Sequence, residues 1–292
     1  MVIWLAKMAL RLLARLSGPA PFALARRCAG LWMHLSPGKR RVAQTNLREC
    51  FPELAPEVKG TLLKDSFVHY VCSILETGRN GYWPLQRLQA LCDGVVGLDL
   101  LTRPLAGGQG VLVLAPHFGA WEYMGIYLQT LFDVAILYKP AAHPGLEQTL
   151  LQMRSRGGGR MLPANAAGLR QLHAHIRAAR VGGLLPDQQP SAGQGRFASF
   201  FGVPALTGVL APRLARKTGC RVVFAACERL HNGRYVIHLL PADEDLYSAD
   251  LDTAVAAVNR GVEQCIAIDP AQYLWSYKRF RSRPEGEPPI YS

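Results

Sequence analysis

Residues 111–132 read VLVLAPHFGAWEYMGIYLQTLF, and three kinds of local structure follow one another within them. Val111 to Leu114 begin a short, β-branched apolar run, the pattern of a strand buried on both faces. From Trp121 onward the apolar residues recur at helical spacing. Between them Gly119 permits a tight turn and leaves room for a ligand. The stretch therefore predicts strand, turn and helix, the building unit of an α/β sheet. His117 follows the strand directly, at the carboxyl end where open α/β sheets place their ligands.

The flanking sequence repeats this alternation. DVAILYKP (133–140) and VGGLLPD (181–187) read as buried strands, the second ending at Asp187. RVVFAACERL (221–230) and RYVIHLL (234–240) are strands joined through HNG, a hairpin signal. Helices are expected over 56–93, 145–155, 164–180, 205–219 and 251–267, with the glycine-rich RGGGR between the second and third. Pro212 costs the fourth some regularity. Strands alternating with helices imply one α/β domain, a mostly parallel sheet flanked by helices, with an antiparallel pair near its end.

A hydrophobic content of 49% with 18% charged residues is enough to fill the core of such a domain. The net charge of +12 is concentrated at the amino end, where residues 1–48 hold nine Lys and Arg and no Asp or Glu. Such a block suits an anionic membrane, nucleic acid or an acidic protein. No nucleic-acid-binding module accompanies it, so nucleic acid is not an expected partner. MVIWLAKMALRLLARL (1–16) has no apolar run near the roughly 20 residues a spanning helix needs. On a helix, Lys7, Arg11 and Arg15 form one stripe, and Trp4, Leu5, Met8, Leu12 and Leu16 contribute to a wide apolar remainder. A helix of that kind lies in the bilayer interface. A second apolar stretch, FALARRCAGLWMHL (22–35), follows. Residues 1–40 are thus expected to be a basic amphipathic membrane-associating segment, and 41–292 the α/β domain. The seven cysteines are scattered and never spaced C-x-x-C, so neither a disulfide framework nor a zinc site is expected.

Two His-acid pairs share a five-residue spacing, His117 with Glu122 and His238 with Asp243. Spacing alone cannot choose between them, but context does. His238 lies inside an alternating strand with an acidic loop after it. His117 lies in a strand–turn–helix junction, where a residue in the turn can meet one in the first helical turn. A neutral imidazole there can take the proton of an attacking hydroxyl. Glu122 would hold its tautomer and stabilise the imidazolium. No G-x-S-x-G elbow is present, so the attacking hydroxyl would belong to a substrate.

HFGAWE (117–122) is similar to the H-x4-D/E block of glycerolipid-type acyltransferases, in the glutamate form of the late, lauroyl/myristoyl-type acyltransferases of bacterial lipid A biosynthesis. NLRECFPEL (46–54), LYKP (137–140), RSRGGGRML (154–162), PDQQP (186–190), FFGVPALT (200–207) and LARKTG (214–219) resemble further blocks of that family in its order. The tail PAQYLWSYKRFRSRPEGEPPIY (270–291) resembles it nearly residue for residue. The resemblance implies a glycerolipid-acyltransferase-like fold and transfer of an acyl chain from acyl carrier protein to a hydroxyl of a Kdo-bearing lipid A precursor. It implies no cofactor or metal, and a place on the cytoplasmic face of the bacterial inner membrane. By position, His117 is the base and Glu122 its partner. Arg154 and Arg156 would meet the phosphates or sugar acids of an anionic lipid substrate, and Asp187 would serve structure or the donor site. Lys278, Arg279, Arg281 and Arg283 form a basic tail cluster that could meet phosphates, the carrier or the bilayer. The alternatives are an acyltransferase of the same fold with another membrane-lipid acceptor, a thioesterase, and a lipid-binding relative.

Overall fold

The computed structural model describes residues 2–140, 144–191 and 193–291. Six helices come first: α1 (Val2–Leu13), α2 (Ala20–Leu35), α3 (Pro37–Cys50), α4 (Pro56–Leu75), α5 (Thr77–Tyr82) and α6 (Leu85–Gln89). Prolines at the first or second position start α2, α3 and α4, where a missing N–H is harmless. The single helix expected over 56–93 is therefore three, and its last residues open strand β1 (Cys92–Val96). Pro84, immediately before α6, disfavours helical geometry at Trp83, which is extended.

The alternating part follows as α7 (Asp99–Ala106), β2 (Val111–Leu114), α8 (Trp121–Gln129), β3 (Val134–Tyr138), α9 (Pro144–Arg154), β4 (Arg160–Pro163), α10 (Ala166–Arg177) and β5 (Val181–Leu184). Then come a hairpin of β6 (Gly195–Phe200) and β7 (Val203–Gly208), helix α11 (Leu210–Thr218), strands β8 (Arg221–Arg229) and β9 (Tyr235–Pro241), and helix α12 (Leu251–Ile268). The start signals are local. The Asn165 side chain accepts from the Gly168 N–H at α10, and Asp250 accepts from the Asp252 and Thr253 N–H groups at α12.

Seven strands form one sheet in the order β1-β9-β8-β2-β5-β3-β4, and β8 with β9 is its antiparallel pair. The other neighbours run parallel, as the alternating sequence implies. Leu112, Leu114, Leu184, Val222 and Phe224 face one core, which also takes in α10, α11 and α12. Val111, Val113, Val181, Val223 and Ala225 face another, built with α8. Both faces being covered explains why the strands read as unbroken apolar runs. All seven cysteines are free thiols, five of them buried.

Two further expectations change. Residues 205–208 are strand rather than helix, because Ala205 and Leu206 pair with Ala198 and Phe197 in the β6–β7 hairpin. Tertiary pairing overrides the helix propensity of Ala and Leu there. RGGGR is also more than a spacer, since Arg160 opens β4, which lies parallel to β3. At the amino end α1 forms its helix with Trp4, Met8 and Leu12 exposed, while the side chains of Leu5 and Lys7 lie outside the described set. No helix among the described residues is long and apolar enough to cross a membrane.

Candidate active site

Two adjacent parallel strands build the reactive pair. Leu114 of β2 is in register with Leu184 of β5. The chain then runs three residues beyond each strand, to His117 and Asp187 respectively. Equal offsets from paired residues bring the two side chains together. His117 Nδ1 lies 2.9 Å from Asp187 Oδ1, and the His117 backbone N–H donates to Oδ2 at 2.9 Å. The Asp187 carboxylate thus receives the side chain and the main chain of one residue, which fixes both ring position and tautomer. Nδ1 carries the proton, and the Nε2 lone pair faces outward.

The carboxylate on His117 is therefore Asp187, where sequence reasoning places Glu122. Glu122 does sit in the first turn of α8, but its carboxylate is taken by Arg154, whose Nε donates to it at 2.9 and 3.2 Å. No hydrogen bond joins Glu122 to His117 among the described residues. A sequence signal for the true pairing exists: VLVLAPH and VGGLLPD share Val, Leu and Pro at matching positions and end in His and Asp.

The surroundings shift both groups. Burial by itself would disfavour the His117 imidazolium, but the charge and hydrogen bond of Asp187 outweigh it, with a smaller contribution from the charge of Glu122, and raise its pKa. Burial would likewise raise the Asp187 carboxyl, yet His117's charge and hydrogen bonds hold it below the ordinary carboxylate value. Asp187 is 3% exposed and His117 17%, so the acid is sealed and the base is open on one edge.

The turn carrying His117 is clamped from several directions. The Gly119 N–H donates to the Gln272 carbonyl at 2.9 Å, the Ala120 N–H to the Cys227 carbonyl at 2.9 Å, and the Leu274 N–H to the His117 carbonyl at 3.1 Å. Gly119 has φ +55°, and a Cβ there would lie 1.9 Å from the Cys227 carbonyl oxygen, so only glycine fits. Arg229 donates to the Gly119 carbonyl at 2.8 Å. It is itself gripped by Glu76 through two 2.8 Å bonds and bonded to His69 Nδ1 at 3.1 Å. Burial, with the positive charge of Arg229, pushes the His69 pKa down to about 2, so this ring stays a neutral acceptor. Arg79 adds a second guanidinium to Glu76 at 2.8 Å and stacks over the Tyr235 ring at 5.1 Å. Sequence reasoning missed this network, because Arg229 lies 153 residues from Glu76 and no motif links it to the Glu76–Arg79 turn.

His117 opens onto a cavity of about 1360 Å³. Trp121, Glu122, Arg154 and Gln188 line the same cavity, and Met124, Leu128, Ile136 and Leu137 give it apolar walls. That volume exceeds the roughly 300–1,000 Å³ typical of small-molecule sites, leaving room for a long apolar chain. Gln188 reaches the ring, its Nε2 lying 3.2 Å from His117 Nε2, at the place where a hydroxyl donating its proton would stand. Arg156 does not line the cavity. Its guanidinium donates to the Asn80 and Trp83 carbonyls at 2.7 and 2.5 Å, closing the end of α5. In the tail, Arg279 is buried and donates to the Leu206 carbonyl and Thr207 Oγ1 at 2.7 and 2.6 Å, and Arg283 donates to the Pro204 carbonyl at 3.0 Å. Those two brace β7, while Lys278 and Arg281 are exposed. The decoy His238 contacts Glu228 at 2.8 Å, and Asp243 pairs with Arg260.

The sequence profile described as bacterial lipid A biosynthesis acyltransferase matches residues 1–282. A lipid A biosynthesis palmitoleoyltransferase of Escherichia coli K12 is 29% identical over 87% of this chain and 83% of its own length. A lipid A biosynthesis lauroyltransferase of the same organism is 27% identical over 99% of this chain and 94% of its own. Its lipid A biosynthesis myristoyltransferase is 25% identical over 87% and 78%.

Proposed function

From the membership of this chain in the bacterial lipid A biosynthesis acyltransferase family, we propose that it moves a fatty acyl group from acyl carrier protein to a hydroxyl of a lipid A precursor, with His117 as the general base. The observation that carries this reading is the His117–Asp187 pair on the wall of a large apolar cavity. Chemically, the acceptor hydroxyl gives its proton to His117 Nε2 while its oxygen attacks the thioester carbonyl. Collapse of the tetrahedral intermediate breaks the C–S bond, and the imidazolium returns the proton to the leaving sulfur. Asp187 keeps Nδ1 protonated and stabilises the imidazolium between these two transfers.

The paired Glu122 and Arg154 stand at the same opening. Arg154 is the guanidinium placed to meet an anionic group of the acceptor, and Glu122 holds its planar fork in one orientation. The donor chain lies along the apolar walls. Residues 1–40 attach the enzyme peripherally to the cytoplasmic face of the bacterial inner membrane, and residues 41–292 form the acyltransferase domain. The exposed Trp4, Met8 and Leu12 of α1, with Leu24, Leu31 and Leu35 of α2, supply an apolar footprint. Basic residues around them favour anionic lipid.

Mass spectrometry of lipid A from cells with and without the protein tests the acceptor. One secondary acyl chain disappears on deletion, and an unchanged lipid A would overturn the assignment. In a purified transfer assay His117→Ala lowers kcat/KM on the order of 10⁴-fold, the upper end of what a general base contributes. Near-normal turnover in that variant would reject the mechanism.

A further inference from the structure

Helices α10 and α11 pack side by side on the same face of the sheet. Their sequences, AAGLRQLHAHIR and LAPRLARKT, contain five Arg and Lys and no acidic residue. Arg170, Arg177, Arg213, Arg216 and Lys217 are all exposed. Among the described residues Arg170, Arg213 and Lys217 have no ion-pair partner. The cavity that begins at His117 extends between these two helices. Leu169, Arg170 and His173 line it from α10, and Arg213, Leu214 and Lys217 from α11. The result is a groove with leucines inside and cations along its lips, continuous with the catalytic base.

We propose that the α10–α11 face is the docking surface for the acidic protein that delivers the acyl thioester. Such a carrier presents its acyl group on a long flexible arm. It needs two things from its partner: a cationic surface for its own acidic face, and a channel from that surface to the reacting atoms. This face offers both together. A bilayer is the other candidate for a cationic surface. Its apolar counterpart is missing here, because the exposed large hydrophobic residues of the helices at the amino end, such as Trp4, Leu31 and Leu35, have no equivalent on α10 or α11. Helices α1 and α2 also pack on other elements, α5 and α4 respectively.

The inference rests on the reading that the donor is carrier-bound, and its test separates the two. Transfer is measured for the full-length enzyme and for Arg170→Glu/Arg213→Glu/Lys217→Glu. One acyl chain is supplied either on acyl carrier protein or on pantetheine. In the triple variant the preference for the carrier-bound over the pantetheine-bound donor falls about ten-fold or more, through a raised KM. The salt dependence of that KM flattens as well. The surface assignment is overturned if the preference is unmoved, or if the variant instead raises KM for the acceptor lipid or loses binding to anionic vesicles. A wild-type enzyme that shows no preference for the carrier-bound donor overturns the donor reading itself, and the docking surface with it.

Discussion

The Asp187 and Glu76 carboxylates hold the same short turn, through His117 and Arg229 respectively, and they differ in what surrounds them. Glu76 and Arg229 are 3% and 1% exposed, and both oxygens of that carboxylate accept from guanidinium. Burial would raise the Glu76 carboxyl, but Arg229 and Arg79 hold it below its ordinary value, so its charge is fixed. Arg229 passes that rigidity to the Gly119 carbonyl. His117 has its acid sealed behind it but keeps one ring edge on the cavity, and so can gain and lose a proton. A charge enclosed on all sides shapes the backbone, and a charge open on one side can react.

The sharpest test of that division is Asp187→Asn. It leaves the shape of the pair intact but removes the charge and favours the wrong tautomer, so kcat falls on the order of 10⁴-fold. A pH profile supplies a second readout. His117 must be neutral to act as base, so activity rises with pH as its imidazolium deprotonates. Asp187 is what raises the His117 pKa, and its removal moves the acidic limb of kcat/KM to lower pH. An unmoved limb would mean that Asp187 does not act through His117.

Arg229→Met should separate shape from chemistry. It leaves Glu76 buried with Arg79 alone and strips the Gly119 carbonyl of a donor, which costs about 3 kcal/mol of stability. Urea unfolding measures the loss. Turnover per folded molecule falls far less than in Asp187→Asn, and a larger fall would erase the distinction between the two pairs. The smallest effect is expected for Glu122→Gln. It loosens the Arg154 guanidinium and raises KM for the acceptor roughly ten-fold, because one charge-assisted contact is weakened. The pH profile changes little, since Asp187 contributes more than Glu122 to the His117 shift. If Glu122→Gln were more damaging to kcat than Asp187→Asn, the partner of the base would be Glu122 after all.

Much of the architecture was legible in residues 111–132 and their neighbours. Strands β2, β3, β5, β8 and β9 appear where short apolar runs stand, and α12 where the helical period is clean. Strand β1 escaped because CDGVV lies at the edge of the sheet and lacks a continuous apolar run. Strand β7 was hidden behind Ala and Leu, residues that favour helix until β6 lies beside them. The tail guanidiniums illustrate a different limit. Arg279 and Lys278 are adjacent cations, yet one is buried against the Leu206 carbonyl and Thr207 hydroxyl of β7 and the other faces solvent. Composition is the same for both, and only the neighbouring strand tells them apart.

The sequence by itself determined that His117 ends a buried strand and begins a helix, because period and turn chemistry are local properties of consecutive residues. It also placed Asp187 at the end of another strand. Which carboxylate the imidazole meets was decided only by the tertiary structure. The sheet sets β5 beside β2 in a register that pairs Leu184 with Leu114, and that pairing joins segments 70 residues apart. Glu122, five residues from His117, is drawn instead to a guanidinium that α9 brings from position 154.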